Sequence, residues 1–196
     1  ATAAIKNGEV VAFPTDTYFA LGSDGLNSRA VESVFTTKGR NLGTPVPLLI
    51  SDAEMTGSLS TEFPDELRKL TDEFWPGALT VVLPASDKVP SVVTAGTGTV
   101  GLRIPDHDLA REFIRLCGTP LTGTSCNVTG CDPIKEASVV EQVFGDQIAM
   151  CINAACGPAT EPSTVVSYEN GKISVLRLGA ISVDSIRNYV CNVVVS

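Results

Sequence analysis

A β-branched run that stops at a proline is the feature that most constrains how this chain can fold. Residues 10–13 (VVAF) have the pattern of a buried strand. Pro14 cannot donate a hydrogen bond to a sheet, so the strand should end there. Thr15, Asp16 and Thr17 then place hydroxyl and carboxylate groups on a turn at the strand end. Because open α/β folds bind small ligands at strand ends, this turn is a candidate binding site.

A helix with two cations at its C-terminal end follows this turn. Asn27 is a good N-cap, and the apolar stripe in residues 30–35 predicts a helix that ends near Lys38. Lys38 and Arg40 are separated by one glycine. They could complement the negative end of the helix, or they could bind an anion. Spacing alone does not decide between these two roles.

The rest of the chain alternates between predicted strands and helices. Further strands are predicted at residues 46–50, 79–83, 100–104, 121–124, 148–152, 164–166 and 173–176. Further helices are predicted at residues 65–74, 108–116, 138–144 and 183–190, with Ser138 as a cap and Val143 facing inward. Residues 84–98 read as a surface loop, and residues 169–171 (ENG) as a hairpin turn. The pattern predicts an α/β fold with a twisted mixed sheet flanked by helices.

Length and charge limit the classes of protein that the chain can belong to. The 196 residues can form one domain with a substantial core, and we expect a single domain over residues 1–196. A formal charge of −8 weighs against a general nucleic-acid binder, so direct tRNA binding is doubtful. No apolar run reaches the roughly 18 residues of a membrane span, and the first residues lack a secretory signal. We therefore expect a soluble, cytoplasmic protein.

The six cysteines do not predict a metal site. The two C-x4-C pairs are too widely spaced for an ordinary zinc knuckle, and the single histidine lies far away in sequence. Reduced thiols that act as small core residues are the better interpretation. Cys126 has no histidine nearby in sequence to activate it, so we interpret it as a small packing residue.

Arg103 and His107 each have a structural alternative to a functional role. Arg103 lies between apolar neighbours near the end of a predicted strand, where it should either pair with a carboxylate or bind a ligand. His107 lies at a helix start, and we do not assign it as a catalytic base. Residues 125–127 (SCN) form a second polar strand end like the one at Thr15.

The segments FPTDTYFALG and KGR together resemble the signature of the YrdC/TsaC family, the threonylcarbamoyl-AMP synthases of tRNA modification. Six later segments match in the same order: PVPLLI at 45–50, WPGALT at 75–80, VGLRIPDH at 100–107, TSCN at 124–127, STVV at 163–166 and LRLG at 176–179. The resemblance extends from Val10 to about Ser182. It implies a YrdC-like fold with a concave ligand site at strand ends, in a short form without the extra C-terminal domain of some relatives.

The resemblance also implies a reaction and its substrates. L-Threonine and bicarbonate would form a carbamate, which attacks the α-phosphate of ATP and expels pyrophosphate, with Mg²⁺ bridging the phosphates. Such chemistry needs positioning and charge neutralisation rather than a protein nucleophile. Downstream tRNA-modification enzymes would use the product.

Site residues are carried over from the family position by position. Lys38 and Arg40 are similar to its triphosphate clamp and would be the catalytic cations, with Thr44 beside them. The remaining implied ATP contacts are Thr99, Ser125, Asn127 and Arg177. The implied threonine contacts are Thr17, Arg103 and Ser163, and no residue is implied as a metal ligand.

Two departures from the family pattern leave alternatives open. Phe19-Ala20 stands where Tyr-Gly is common, and Leu49 occupies a position where many members have a histidine that contacts threonine. A YciO-like protein of unestablished activity is one alternative, although that branch tends to lose KGR, TSCN and STVV. A noncatalytic RNA-binding module is another, and the acidic composition argues against it.

Overall fold

The computed structural model describes residues 1–195, which form a mixed α/β fold. The helices are α1 (Thr2–Lys6), α2 (Ser28–Lys38), α3 (Thr56–Leu59), α4 (Asp65–Phe74), α5 (Ser91–Thr94), α6 (Asp108–Cys117), α7 (Ala137–Phe144) and α8 (Val183–Arg187). The strands are β1 (Val11–Phe13), β2 (Ala20–Gly22), β3 (Leu48–Leu49), β4 (Leu79–Pro84), β5 (Thr99–Arg103), β6 (Leu121–Thr122), β7 (Thr124–Ser125), β8 (Met150–Cys151), β9 (Thr164–Glu169), β10 (Lys172–Arg177) and β11 (Val193–Val195). Short 3₁₀ helices occupy Ala53–Met55 and Gly145–Gln147.

The strands divide between two mixed sheets. A four-stranded sheet has the order β7-β2-β1-β8, and a seven-stranded sheet has the order β11-β10-β9-β4-β5-β3-β6. In each sheet a strand has one parallel and one antiparallel neighbour: β1 runs antiparallel to β2 and parallel to β8, and β4 runs antiparallel to β5 and parallel to β9. The predicted α/β class with a mixed sheet is therefore confirmed, although one sheet was expected and two are present.

Alternation along β4 gives the larger sheet two different faces. Leu79, Val81 and Leu83 are fully buried in the main core, together with side chains from α2, α4, α5 and α8. Thr80 and Val82 point to the opposite face, because successive side chains of a strand alternate. That second face borders a cavity.

The smaller sheet is packed on both sides. On one side the ring of Phe13 meets Phe113 of α6 edge to face, with 5.3 Å between ring centroids. On the other side Phe19 and Leu21 pack with Phe144 of α7. The Phe13 ring also explains why residue 22 is a glycine, since a Cβ there would lie 2.5 Å from a ring carbon. The two cores hold the polar end of β1 in a fixed position.

Elements with strong local signals form where the sequence predicts them. The Asn27 side chain caps α2 by accepting hydrogen bonds from the backbone N–H groups of Arg29 and Ala30, at 3.1 and 3.4 Å. Gly39 ends this helix in the left-handed region, with φ of 62°. The α4 bounds agree with the predicted helix at 65–74. Asn170 and Gly171 both have positive φ in the turn between β9 and β10, which confirms the predicted hairpin.

Several predictions for the remaining segments are wrong. Residues 84–98 are not only a surface loop: they contain α5 and insert Val89 and Val93 into the main core. Ser138 lies inside α7 rather than at its cap, and Val143 is 38% exposed. The strands β2 and β11 and the helix α1 were not predicted. None of the helices within residues 1–195 has the length and apolar character needed to cross a bilayer.

Candidate active site

A cavity of about 780 Å³ lies between the two sheets. Strands of both sheets contribute to its wall: β2 and β7 from the smaller sheet, and β3, β4, β5, β9 and β10 from the larger one. Its size is that of a small-ligand site, for which cavities of roughly 300–1,000 Å³ are typical. The structure brings all ten residues of the predicted site to this one wall: Thr17, Lys38, Arg40, Thr44, Thr99, Arg103, Ser125, Asn127, Ser163 and Arg177.

The cavity is strongly cationic. Lys38, Arg40, Arg103 and Arg177 line it, and none of the lining residues within 1–195 is an aspartate or a glutamate. Asp16 pairs with Arg103 from behind the wall. Four cations thus face one cavity in a protein whose formal net charge is −8. Such a concentration of one sign in a confined space favours an anionic ligand.

Lys38 reaches the cavity from the C-terminal end of α2. Its Nζ donates hydrogen bonds to Asn127 Oδ1 at 2.5 Å, to the Asn127 carbonyl at 3.1 Å and to the Ser125 carbonyl. Burial lowers the pKa of Lys38 to about 8, Arg40 adds to this effect and Cys126 opposes it. The ammonium group is therefore charged at neutral pH, and it ties α2 to the segment after β7.

Arg40 follows the left-handed turn at Gly39 and lines the same cavity. Its Nη1 donates to Thr124 Oγ1 at 3.2 Å, and its Nη2 donates to the Pro45 carbonyl at 2.9 Å. The guanidinium group also lies over the Phe35 ring, 5.7 Å from its centroid. Burial lowers the pKa of Arg40. These contacts leave part of the guanidinium fork free for a ligand.

Arg103 pairs with a carboxylate, which is the first of the two alternatives that the sequence left open. It is only 6% exposed, and its Nη2 forms an ion pair with Asp16 at 2.5 Å. Its Nε donates to the Gly77 carbonyl at 2.9 Å, and its Nη1 lies 3.4 Å from Thr17 Oγ1. The carboxylate partner of this buried cation fixes the guanidinium plane, while its remaining N–H groups border the cavity.

Arg177 lines the cavity beside Ser163. Its Nε and Nη2 donate to the Ser163 carbonyl at 3.1 and 2.7 Å, and Nη2 also lies 2.9 Å from Ser163 Oγ. The same Oγ lies 2.9 Å from Thr80 Oγ1. Burial lowers the pKa of Arg177, and Arg103 and Arg40 lower it further. Three side chains thus form one hydrogen-bonded row.

Sequence reasoning missed four threonines of the cavity wall, which are Thr80, Thr97, Thr124 and Thr129. Thr80 had a detectable signal, because it is the one hydroxyl in the apolar run of residues 79–83. Thr129 had none, since its contact with the Lys38 carbonyl joins positions that are distant in sequence.

His107 and Cys126 have structural roles. His107 caps α6, with Nδ1 accepting from the Ala110 N–H at 3.3 Å and Nε2 lying 2.9 Å from the Ala155 carbonyl. Cys126 is fully buried, and burial raises the pKa of its thiol to about 12, so it is not an activated nucleophile. Within residues 1–195, no group of three or more side chains of the usual ligand types could hold a metal ion.

The two departures from the family pattern both lie at the cavity wall. Leu49 is 2% exposed and packs against Gly123, where a Cβ would lie 2.7 Å from the Leu49 side chain. Phe19 is fully buried, and Ala20 beside it borders the cavity. They make this part of the wall apolar, in contrast to the cations across from it.

The structure defines an α/β protein whose two mixed sheets enclose a cation-lined cavity of a size and charge that suit a small anionic ligand. Residues 3–179 match the model of the Sua5/YciO/YrdC family, whose description is "Telomere recombination". The chain belongs to this family, as the resemblance of its motifs predicts.

Relatives and solved structures agree with this assignment. The chain is 34% identical over 186 residues to the threonylcarbamoyl-AMP synthase of Pyrococcus abyssi and 35% identical over 187 residues to that of Bacillus subtilis. Each alignment covers 95% of this chain but only 55% and 54% of the relative, so the chain spans about half their length. The structure of P. abyssi Sua5 complexed with L-threonine matches with a TM-score of 0.96 and 33% identity, over 100% of this chain and 57% of that one. Escherichia coli YciO shares the fold, with a TM-score of 0.83 and 22% identity over 94% of this chain and 90% of YciO.

Proposed function

We propose that this chain synthesises threonylcarbamoyl-AMP from L-threonine, bicarbonate and ATP, for modification of tRNA. The observation that carries the proposal is the cavity wall with four cations and, within the part of the chain that the structure describes, no carboxylate. It is supported by the names of the P. abyssi and B. subtilis relatives and by the similarity to a Sua5 that binds L-threonine.

The reaction needs no nucleophile from the protein. The threonine amino group and bicarbonate give a carbamate and water. A carbamate oxygen then attacks the α-phosphorus of ATP, and the bond to the β-phosphate oxygen breaks as pyrophosphate leaves. A wall of cations and hydroxyl groups suits this step, because the protein has to position two anions and neutralise the charge that develops on the phosphates.

The nucleotide would occupy the side of the cavity that α2 and β7 form. Lys38 and Arg40 would hold the triphosphate, with Thr44 beside them, since both cations point into the same opening. Thr99, Ser125, Asn127 and Arg177 would complete the contacts with ATP. Mg²⁺ would enter with ATP as part of the substrate, held by the phosphates and by water.

Threonine would occupy the side near the end of β1. Arg103 would direct its free N–H groups to the substrate carboxylate, because Asp16 and the Gly77 carbonyl fix the rest of its guanidinium group. Thr17 and Ser163 border the same part of the wall. The apolar side chain of Leu49 would face the amino acid and restrict which side chains fit there.

Pyrophosphate release tests the proposal directly. We expect the protein to release pyrophosphate from ATP only when Mg²⁺, threonine and bicarbonate are all present, and without RNA. Release that is indifferent to threonine would contradict the assignment and favour a YciO-like protein of another activity. An RNA-binding module would show no turnover, and its affinity for RNA would fall steeply with salt.

A further inference from the structure

The hydroxyl pair of Thr80 and Ser163 has one proton more than its own hydrogen bond uses. The two oxygens lie 2.9 Å apart, and a single proton lies between them. Arg177 Nη2 lies 2.9 Å from Ser163 Oγ, and a guanidinium group can only donate. Of the two hydroxyl protons, one therefore remains for a third group. Both residues border the cavity.

The direction of the hydrogen bonds in this row follows from the cation at its end. When Arg177 donates to Ser163 Oγ, the Ser163 O–H is polarised and becomes a better donor. Hydrogen bonds in a row strengthen one another when every hydroxyl accepts one bond and donates one. This order runs from Arg177 through Ser163 to Thr80, and it leaves the Thr80 proton at the end of the row.

The position of Thr80 directs this proton to the cavity. Thr80 lies on β4 with its side chain on the cavity face, and its backbone neighbour on β9 is Val165, which also lines the cavity. On the other side Gly101 has no side chain, and a Cβ there would lie 3.3 Å from the Thr80 methyl carbon. The missing side chain of Gly101 thus leaves room for the Thr80 methyl group, and the cavity borders the same residue.

We propose that Thr80 is a substrate-contacting residue, which donates its hydroxyl proton to a carboxylate oxygen of the amino-acid substrate or of its carbamate. This inference rests on the proposed function and adds to it a residue outside the predicted set. Arg177 acts on that oxygen through Ser163 and Thr80. One row of hydrogen bonds therefore joins Arg177, a proposed ATP contact, to the amino-acid substrate. Binding of ATP and of the amino acid are then coupled through this row.

The test compares Thr80→Val with Thr80→Ser. Valine keeps the shape and removes the hydroxyl, whereas serine keeps the hydroxyl. We expect Thr80→Val to raise the KM for threonine or to lower kcat by roughly tenfold or more, which is the effect of losing a hydrogen bond to a charged group. Thr80→Ser should recover most of the loss. A rise in the threonine Kd without bicarbonate assigns the contact to the carboxylate of threonine, and a loss of kcat alone assigns it to the carbamate.

A double variant shows whether the row acts as one unit. If it does, Thr80→Val combined with Ser163→Ala should be no worse than the worse single variant. Thr56→Val is the matched control, because it removes a buried hydroxyl that bonds the Ala53 carbonyl away from the cavity. This control should keep wild-type kinetics.

Three results would overturn the inference while wild-type turnover remains: a Thr80→Val variant with unchanged kinetics, losses that multiply in the double variant, or a Thr80→Ser variant as poor as Thr80→Val. Absence of threonine-dependent turnover in the wild type would contradict the proposed function instead. Melting temperatures measured with and without threonine provide a readout that does not depend on activity.

Discussion

Lys38 and Arg40 lie at the same end of α2, but their side chains bond to other segments rather than to the helix. A cation that complements a helix terminus stays near the last carbonyl groups of that helix. Lys38 instead bonds to Ser125 and Asn127, and Arg40 bonds to Thr124 and Pro45. Both cations therefore fix the cavity wall, and of the two Arg40 has the less buried side chain.

Removal of Arg40 separates ligand binding from folding. We expect Arg40→Ala to weaken ATP binding or turnover roughly ten- to a hundred-fold, because it loses charge-assisted hydrogen bonds to phosphate. The melting temperature of the ligand-free protein should change little, while the stabilisation by ATP should disappear. Arg68→Ala is the control, since its cation lies at the surface beside Asp65. A variant that melts early but keeps the full ATP-induced shift would show that Arg40 is structural.

The lowered pKa of Lys38 predicts how binding depends on pH. Only the charged ammonium group attracts phosphate, so the affinity for ATP should fall as the pH rises through about 8, the pKa of Lys38. Because folding lowers this pKa, the unfolded chain holds more protons between pH 8 and the ordinary lysine range. The contribution of Lys38 to the free energy of unfolding therefore rises with pH in that interval.

Calorimetric titration of ATP between pH 7 and 9.5 checks this prediction. The decline around pH 8 should be present in the wild type and absent in Lys38→Met, which binds weakly at every pH. The same decline in both proteins would assign the titration to another group.

At the scale of the element, α2 has a side-chain cap at its N-terminal end and the two cations at its C-terminal end. Asn27 satisfies two backbone N–H groups of the first turn, and Gly39 ends the helix so that Arg40 turns into the cavity. A Cβ at Gly39 would meet no atom within 4 Å, so its φ of 62° rather than crowding is what favours glycine. The placement of both cations thus depends on the two ends of one helix.

Loss of the cap should affect stability more than chemistry. We expect Asn27→Ala to lower the free energy of unfolding by about 1 kcal/mol, because two N–H groups of the first turn lose their acceptor. Asn27→Ser, which can still accept, should retain most of the stability. Denaturant unfolding measures the difference. An Asn27→Ala protein with wild-type stability but impaired ATP binding would mean that the cap acts on the site itself.

Elements were predictable from the sequence where their signals are local. The cap and apolar stripe predicted α2, an amphipathic pattern predicted α4, and two turn residues predicted the hairpin of β9 and β10. The strands β2 and β11 were missed because each has only three residues, too few for a periodicity, and β7, one neighbour of β2 in the sheet, is far away in sequence. The division into two sheets was therefore not predictable from any one segment.

At the scale of the whole molecule, the fold brings positive side chains together in one cavity, although the net charge of the chain is negative. The net charge of −8 argued against a general nucleic-acid binder, while the spacing of Lys38 and Arg40 left open whether they complement a helix end or bind an anion. The structure explains the conflict, because four cations from distant parts of the chain share one cavity while most acidic residues lie elsewhere. Thr80 escaped prediction for a related reason: its partner Ser163 is 83 positions away in the sequence.

The alternation along β4 separates two kinds of evolutionary constraint. Leu79 and Val81 are constrained by packing in the main core, whereas Thr80 and Val82 border the cavity, where Thr80 also bonds to Ser163. Substitutions at Leu79 and Val81 are limited by the stability of the fold, and substitutions at Thr80 and Val82 are limited by the ligand in the cavity. Substitutions on the cavity face of β4 can therefore change the ligand preference of the protein without first requiring a more stable fold.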